Sequence, residues 1–210
     1  MRSLFRTLAL TFGGLAAARA YPQAPALDAD ADADVWVAEH FDRKAGAMSA
    51  LTGWGTANVL VGGIGAAVSD GEEARQFHLM NAGWGAINAA LGLFGRRSAR
   101  RDGRGGLNLE AGYADLRRTE KILLFNAGLD VGYVAAGAYL VERSRRARRN
   151  GAGAPLLSTE TAARDRGWGQ AVMLQGAALC IFDLLAYRHL HRGEGALRIG
   201  GERGLKVRVR

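Results

Sequence analysis

The chain has 210 residues and a formal net charge of +8, and its mean hydropathy of -0.05 hides a strong segregation of charged from apolar stretches. A single cysteine, Cys180, excludes an intramolecular disulfide framework. Most Lys and Arg flank apolar runs, so anionic lipid headgroups rather than nucleic acid are the expected counter-charge.

Residues 1–20 read as a secretory signal peptide, with Arg2 and Arg6 before a short apolar stretch and Ala18-Arg19-Ala20 as a small-x-small cleavage site. Tyr21 is then the mature N-terminus, on the outer face of the membrane; the same pattern also serves as an uncleaved anchor. Residues 21–44 read as an acidic extracytoplasmic linker, with Asp28, Asp30, Asp32 and Asp34 alternating with alanine. The spacing lacks the glycine and closing glutamate of a calcium loop. Val35, Val37, Ala38 and Phe41 give a weak apolar face, suited to a short helix on the membrane surface.

Four apolar runs follow, at 45–69, 76–95, 122–141 and 167–187. Each is long enough for a helix to cross a hydrocarbon core of about 30 Å, and none shows the polar face that a soluble bundle needs at helical period. The expected fold is all-α, a four-helix transmembrane bundle over 45–190 with a signal peptide before it and a basic tail, 191–210, after it. In that tail Leu197-Arg198-Ile199 and the alternating 205–210 suggest a short strand pair. Gly53-Trp54-Gly55 with Asn58 recurs as Gly83-Trp84-Gly85 with Asn88, and Gly167-Trp168-Gly169 opens the fourth run. Duplication and convergence on small packing residues both account for this. The three tryptophans read as packing residues or interfacial anchors.

The first loop, 70–75, is short and acidic and implies a tight hairpin. The second, 96–121, holds eight Lys/Arg, and the third, 142–166, holds seven. An outer N-terminus places the second loop and the tail outside, against the usual excess of positive charge on the cytoplasmic side. The signal-like segment is what assigns the mature N-terminus to the extracytoplasmic face.

Asp130 interrupts the third run, and a carboxylate at that depth needs an explanation. Asn126 precedes it by one helical turn, and Asn58, Asn88 and Gln175 sit at similar depth in the other runs. These five form the candidate intramembrane polar site. It serves either to pin the helices together or to bind an ion or solute. Gly128, Gly132 and Ala136 form a small-residue ridge on the opposite face, which would make the third helix central. A second candidate near the interface comprises Asp183, His78 and Asn81; for Asp183, pairing with Arg188 or headgroups is a sufficient account. His189 and His191 point to different sides of a helix, so no metal site is expected, and no cofactor. No catalytic motif appears, and an enzyme has no positive support.

Three blocks carry a family resemblance: Phe77-His78-x-Met80-Asn81 with Trp84 and Asn88; Glu120 to Asp130; and Leu174-Gln175-Gly176 leading to Phe182-Asp183-Leu184 and Tyr187. Over roughly 45–190 the chain resembles a family of uncharacterised bacterial integral membrane proteins, a domain of unknown function with four predicted spans. The arginine-rich second and third loops and the basic tail depart from that pattern. The resemblance implies a helical fold and a bacterial inner membrane, and transfers no activity. The expected role is a structural or interaction component, as a homo-oligomer or with a membrane protein partner. The alternative is a small ion, proton or solute conduit built on Asp130.

Overall fold

A computed structural model of the chain describes residues 30–149 and 157–202. Four helices account for nearly all of them: α1 (Asp30–Val68), α2 (Glu72–Arg104), α3 (Leu109–Arg149) and α4 (Thr159–Glu202). Their ends are set locally. Gly71 leads into α2, whose first turn carries Glu72 and Glu73 against the helix dipole. Between α2 and α3, Gly106 takes a φ of 62°, a left-handed conformation that glycine adopts without cost. Asn108 Oδ1 then accepts from Ala111 N at 2.9 Å, and Ser158 Oγ does the same for Thr161 N at 3.1 Å, capping α3 and α4.

The helices pack as two antiparallel hairpins, α1–α2 and α3–α4, joined mainly where α2 meets α4. Both hairpins close on glycine. A Cβ on Gly85 would lie 2.6 Å from Gly55 O, and one on Gly169 would lie 2.6 Å from Gly137 O, so the backbones touch. The backbones of α2 and α3 stand diagonally across the bundle without packing on each other.

With 33 to 44 residues each, the helices are about 50–66 Å long, well beyond a hydrocarbon core of about 30 Å. The excess gathers largely at one end, where the starts of α1 and α3 meet the ends of α2 and α4. There Trp36, Val37, Phe41, Leu116 and Leu190 form a buried cluster with Ala99. We refer to this end as the cap. Away from it the pattern inverts. The large apolar side chains face outwards, among them Leu60, Ile64, Phe94, Phe125, Val131 and Ile181, each more than half exposed, while Asn81, Asn88, Asp130 and Gln175 are buried. At about 1.5–3 kcal/mol for each such side chain fully covered, leaving this belt in water would cost as much as a domain's whole stability of about 5–15 kcal/mol. A hydrocarbon surrounding removes that cost.

Among the described residues three helices are long and apolar enough to cross a membrane: α1 over Ala33–Val68, α3 over Leu109–Ala147 and α4 over Thr159–Gly193. The expectation of four is corrected in this respect. The second helix falls short by composition because its inward face is polar: Asn81, Gly85, Asn88 and Gly92 are its buried stripe.

Other expectations also change. Residues 30–44 are the first four turns of α1 and part of the cap, rather than a linker or a separate surface helix. The tail is helical through Glu202, so Leu197-Arg198-Ile199 is no strand; residues 203–210 and the signal segment 1–20 lie outside the described residues. The ridge of Gly128 and Gly132 faces open space. The third helix therefore has a packed face and a bare one, and it is not central.

Candidate functional site

Gln175, fully buried on α4, is the node of the first polar cluster. Its Oε1 accepts from Trp54 Nε1 at 3.1 Å, and its Nε2 donates to Asn58 Oδ1 at 2.8 Å and Asn81 Oδ1 at 2.6 Å. The two asparagine amides in turn donate to Trp54 O and Phe77 O one turn earlier. Every member is satisfied within the protein, and the cluster ties α4 to α1 and α2. That is what a structural lock requires.

The second cluster is different. Asp130 on α3 and Asp183 on α4 are buried, 3% and 6% exposed, and their carboxyls lie within hydrogen-bonding reach of each other. A hydrogen bond between two carboxyls requires one proton between them. Oδ2 of Asp130 receives no hydrogen bond from an amide, hydroxyl or amine, and Nδ2 of Asn88, on a side chain only 3% exposed, finds no acceptor. Both residues line one groove of about 200 Å³, together with Asn126, Asp183, Trp84 and Tyr133. Trp84 and Tyr133 meet edge to face at 5.1 Å between ring centres, reaching across the gap that the diagonal α2 and α3 leave. The apolar lining comes from Leu51, Ile87, Leu91, Leu129, Leu179 and Phe182.

The five expected site residues therefore divide. Asp130, Asn126 and Asn88 meet at the groove, while Asn58 and Gln175 belong to the lock. The second expected group also divides. Asp183 joins Asp130 rather than Arg188 or the interface, and Asn81 joins Gln175. His78 sits at the far end of the bundle, against Gly65 and the ring of Phe77. Two participants were missed, Trp54 as a donor to the node and the Trp84–Tyr133 pair. The recurrence of Trp54 and Trp84 before Asn58 and Asn88 in the sequence was the available signal.

Residues 50–184 match the model of a family of unknown function, DUF6992. The chain belongs to that family. No curated protein matches the chain, and no solved structure does. The DUF6992 region takes in both polar clusters, from Trp54 to Asp183, and leaves out the first turns of α1 that build the cap.

Outside the apolar segments, the cap of this DUF6992 protein holds its own ionic cluster. His40, 1% exposed, contacts Asp115 through Nε2 at 2.9 Å, and Lys44 Nζ donates to both Asp115 oxygens at 2.7 and 2.8 Å. Burial alone would raise the Asp115 carboxyl, but the hydrogen bonds and charges of His40 and Lys44 together outweigh it and hold it below its ordinary value. Trp36 stacks on His40 at 5.7 Å and donates to Gly193 O at 3.0 Å, fastening α1 to the end of α4. Among the described residues no group of three or more His, Cys, Asp or Glu is placed to hold a metal ion.

Proposed function

We propose that this DUF6992 protein is a multi-pass protein of a bacterial inner membrane, crossed by all four helices, that holds a small solute or ion in the Asp130–Asp183 groove. The observation that carries this reading is a pair of buried atoms on one cavity, Asp130 Oδ2 with no hydrogen bond from an amide, hydroxyl or amine and Asn88 Nδ2 with no acceptor. A purely structural cluster gains nothing from leaving both unsatisfied, and intramembrane carboxylates commonly mark a pathway or a binding site. Crossing by α2 is supported by its outward Leu79, Ile87, Leu91 and Phe94, which continue the apolar belt. Its polar side chains point inward, where neighbouring helices shield them. The test is proton and solute flux in proteoliposomes: Asp130→Asn abolishes it, and an unchanged flux refutes the role of this carboxylate.

A second reading, a structural or interaction component, is favoured by the Gln175 node and the glycine seams. It predicts that Asp130→Asn preserves both the membrane level and the phenotype of the protein. Under either reading, Arg97, Arg100, Arg101 and Arg104, which border a hollow of about 400 Å³ at the cap end of α2, are suited to anionic headgroups just beyond the belt. The signal-like segment supports an outer cap. Labelling of Ser98→Cys from either side of the membrane, in a Cys180→Ser background, decides the orientation.

A further inference from the structure

We infer that the ligand of the Asp130–Asp183 groove is an amphiphilic organic cation whose ammonium is flanked by a hydroxyl or carbonyl oxygen, and that it reaches the site sideways from the lipid. The inference rests on the reading that this groove is a binding site and names what it binds.

Charge comes first. The groove is lined by two carboxyls and by no Lys, Arg or His, so an anion would meet only repulsion. Two buried carboxyls favour a cation, and an ammonium is a cation that also donates hydrogen bonds to them. The unsatisfied atoms then set the pattern of donors and acceptors. Asp130 Oδ2 needs a donor and Asn88 Nδ2 needs an acceptor. A bare ammonium serves the first and leaves the second orphaned, whereas an ammonium with a neighbouring oxygen serves both.

Size and wall chemistry argue against a simple ion. About 200 Å³ corresponds to roughly seven waters at their liquid volume, far more than a bare cation fills. The site offers fewer than three acidic or imidazole ligands. Its aliphatic walls and the rings of Trp84 and Tyr133 favour a carbon skeleton, and the ring faces attract ammonium groups.

The route follows from the packing. Because the α2 and α3 backbones stand apart, the groove opens between them onto the belt. Its rim residues Ile87, Leu91, Leu129 and Tyr133 are 36–58% exposed on the surface that faces lipid. An alkyl tail lying along that rim stays in hydrocarbon while the polar head turns inward to the carboxyls.

The experiment uses the full chain in nanodiscs of zwitterionic lipid. Binding of N-octylethanolamine, octylamine, ethylene glycol monooctyl ether and octanoate is measured above that to protein-free discs. The expected result is saturable binding of N-octylethanolamine, weaker binding of octylamine, and none of the neutral ether or the anion. Asp130→Asn weakens N-octylethanolamine by about tenfold. Asn88→Leu lowers N-octylethanolamine to the octylamine level, with helix content and tryptophan fluorescence like those of the parent showing that the variant is folded; a variant so folded that keeps the preference for N-octylethanolamine overturns the role of the flanking oxygen. Equal binding of the neutral ether, or an Asp130→Asn variant that binds as the parent does, overturns the inference. Flux that depends on Asp130 without amine binding overturns the ligand class alone and leaves the site standing. Absence of both removes the site as well.

Discussion

Replacing Gln175 by leucine tests whether the node is the lock of the bundle. Leucine has a similar volume, so the change leaves little cavity and acts mainly through polar groups. Three interhelical hydrogen bonds are lost, to Trp54, Asn58 and Asn81. Such bonds within a membrane are worth about 0.6 kcal/mol on average, which gives roughly 2 kcal/mol for three. The half-buried Trp54 then loses the acceptor of its Nε1, for about 1 kcal/mol more. The asparagines lose less, because each keeps its own bond to the preceding turn. The expected destabilisation is therefore about 2–4 kcal/mol. It is measured by denaturant titration in mixed micelles, with helix content and tryptophan fluorescence followed together. Asp130→Asn serves as the internal comparison. It removes no bond from an amide, hydroxyl or amine donor, and a shift within about 1 kcal/mol is expected. A Gln175→Leu shift below about 0.5 kcal/mol, or one matched by Asp130→Asn, would refute the division into lock and site.

Glycine contacts give a paired prediction. Gly85→Val drives side-chain atoms into Gly55 O and Asn58 Cβ, forces the first hairpin apart and costs about 1–3 kcal/mol. Gly128→Ala meets nothing within 4 Å and is neutral or slightly stabilising through helix propensity; the same micelle titration reads both. Trp36→Ala removes the ring stacked on His40 and the bond to Gly193 O. It should cost about 3–5 kcal/mol, seen as early proteolysis near the cap while the apolar segments stay protected. The cap also has an acid limit. Asp115 titrates lower in the folded chain than in the unfolded one, so its stabilisation is complete above the ordinary carboxylate pKa of about 3.9 and is lost as pH falls through the folded value. Thermal melting of the parent should lose this contribution only in the acid range below about pH 4. Asp115→Asn should melt lower than the parent at neutral pH and converge with it in that acid range, and a parallel offset at every pH would count against this account.

The apolar runs were legible in the sequence because hydrocarbon imposes a length and a composition, and all four runs fall inside helices but for Ser69 at the end of the first. Their continuation into the cap was not. Trp36, Val37, His40, Phe41 and Lys44 follow helical spacing, but the preceding Asp-Ala repeat masks the stripe. The polar residues were identifiable singly and misassigned in pairs. Spacing along one helix places Asn126 with Asp130, yet nothing local says that Gln175 reaches Asn58 and Asn81 while Asp183 reaches Asp130. Those pairings depend on the stagger between helices, which the glycine contacts set. The outward direction of Gly128 and Gly132 was hidden for the same reason: small residues look alike whether they meet a partner helix or lipid.

The three prolines of the chain, at 22, 25 and 155, all lie outside the four helices. Each helix is therefore an unbroken rod that carries the cap and the membrane segment as one piece. Lys44 and Asp115 thus fasten α1 to α3 at the cap, and α3 runs on from Asp115 to Asp130 without a break, so the ionic cluster and the groove share one continuous helix.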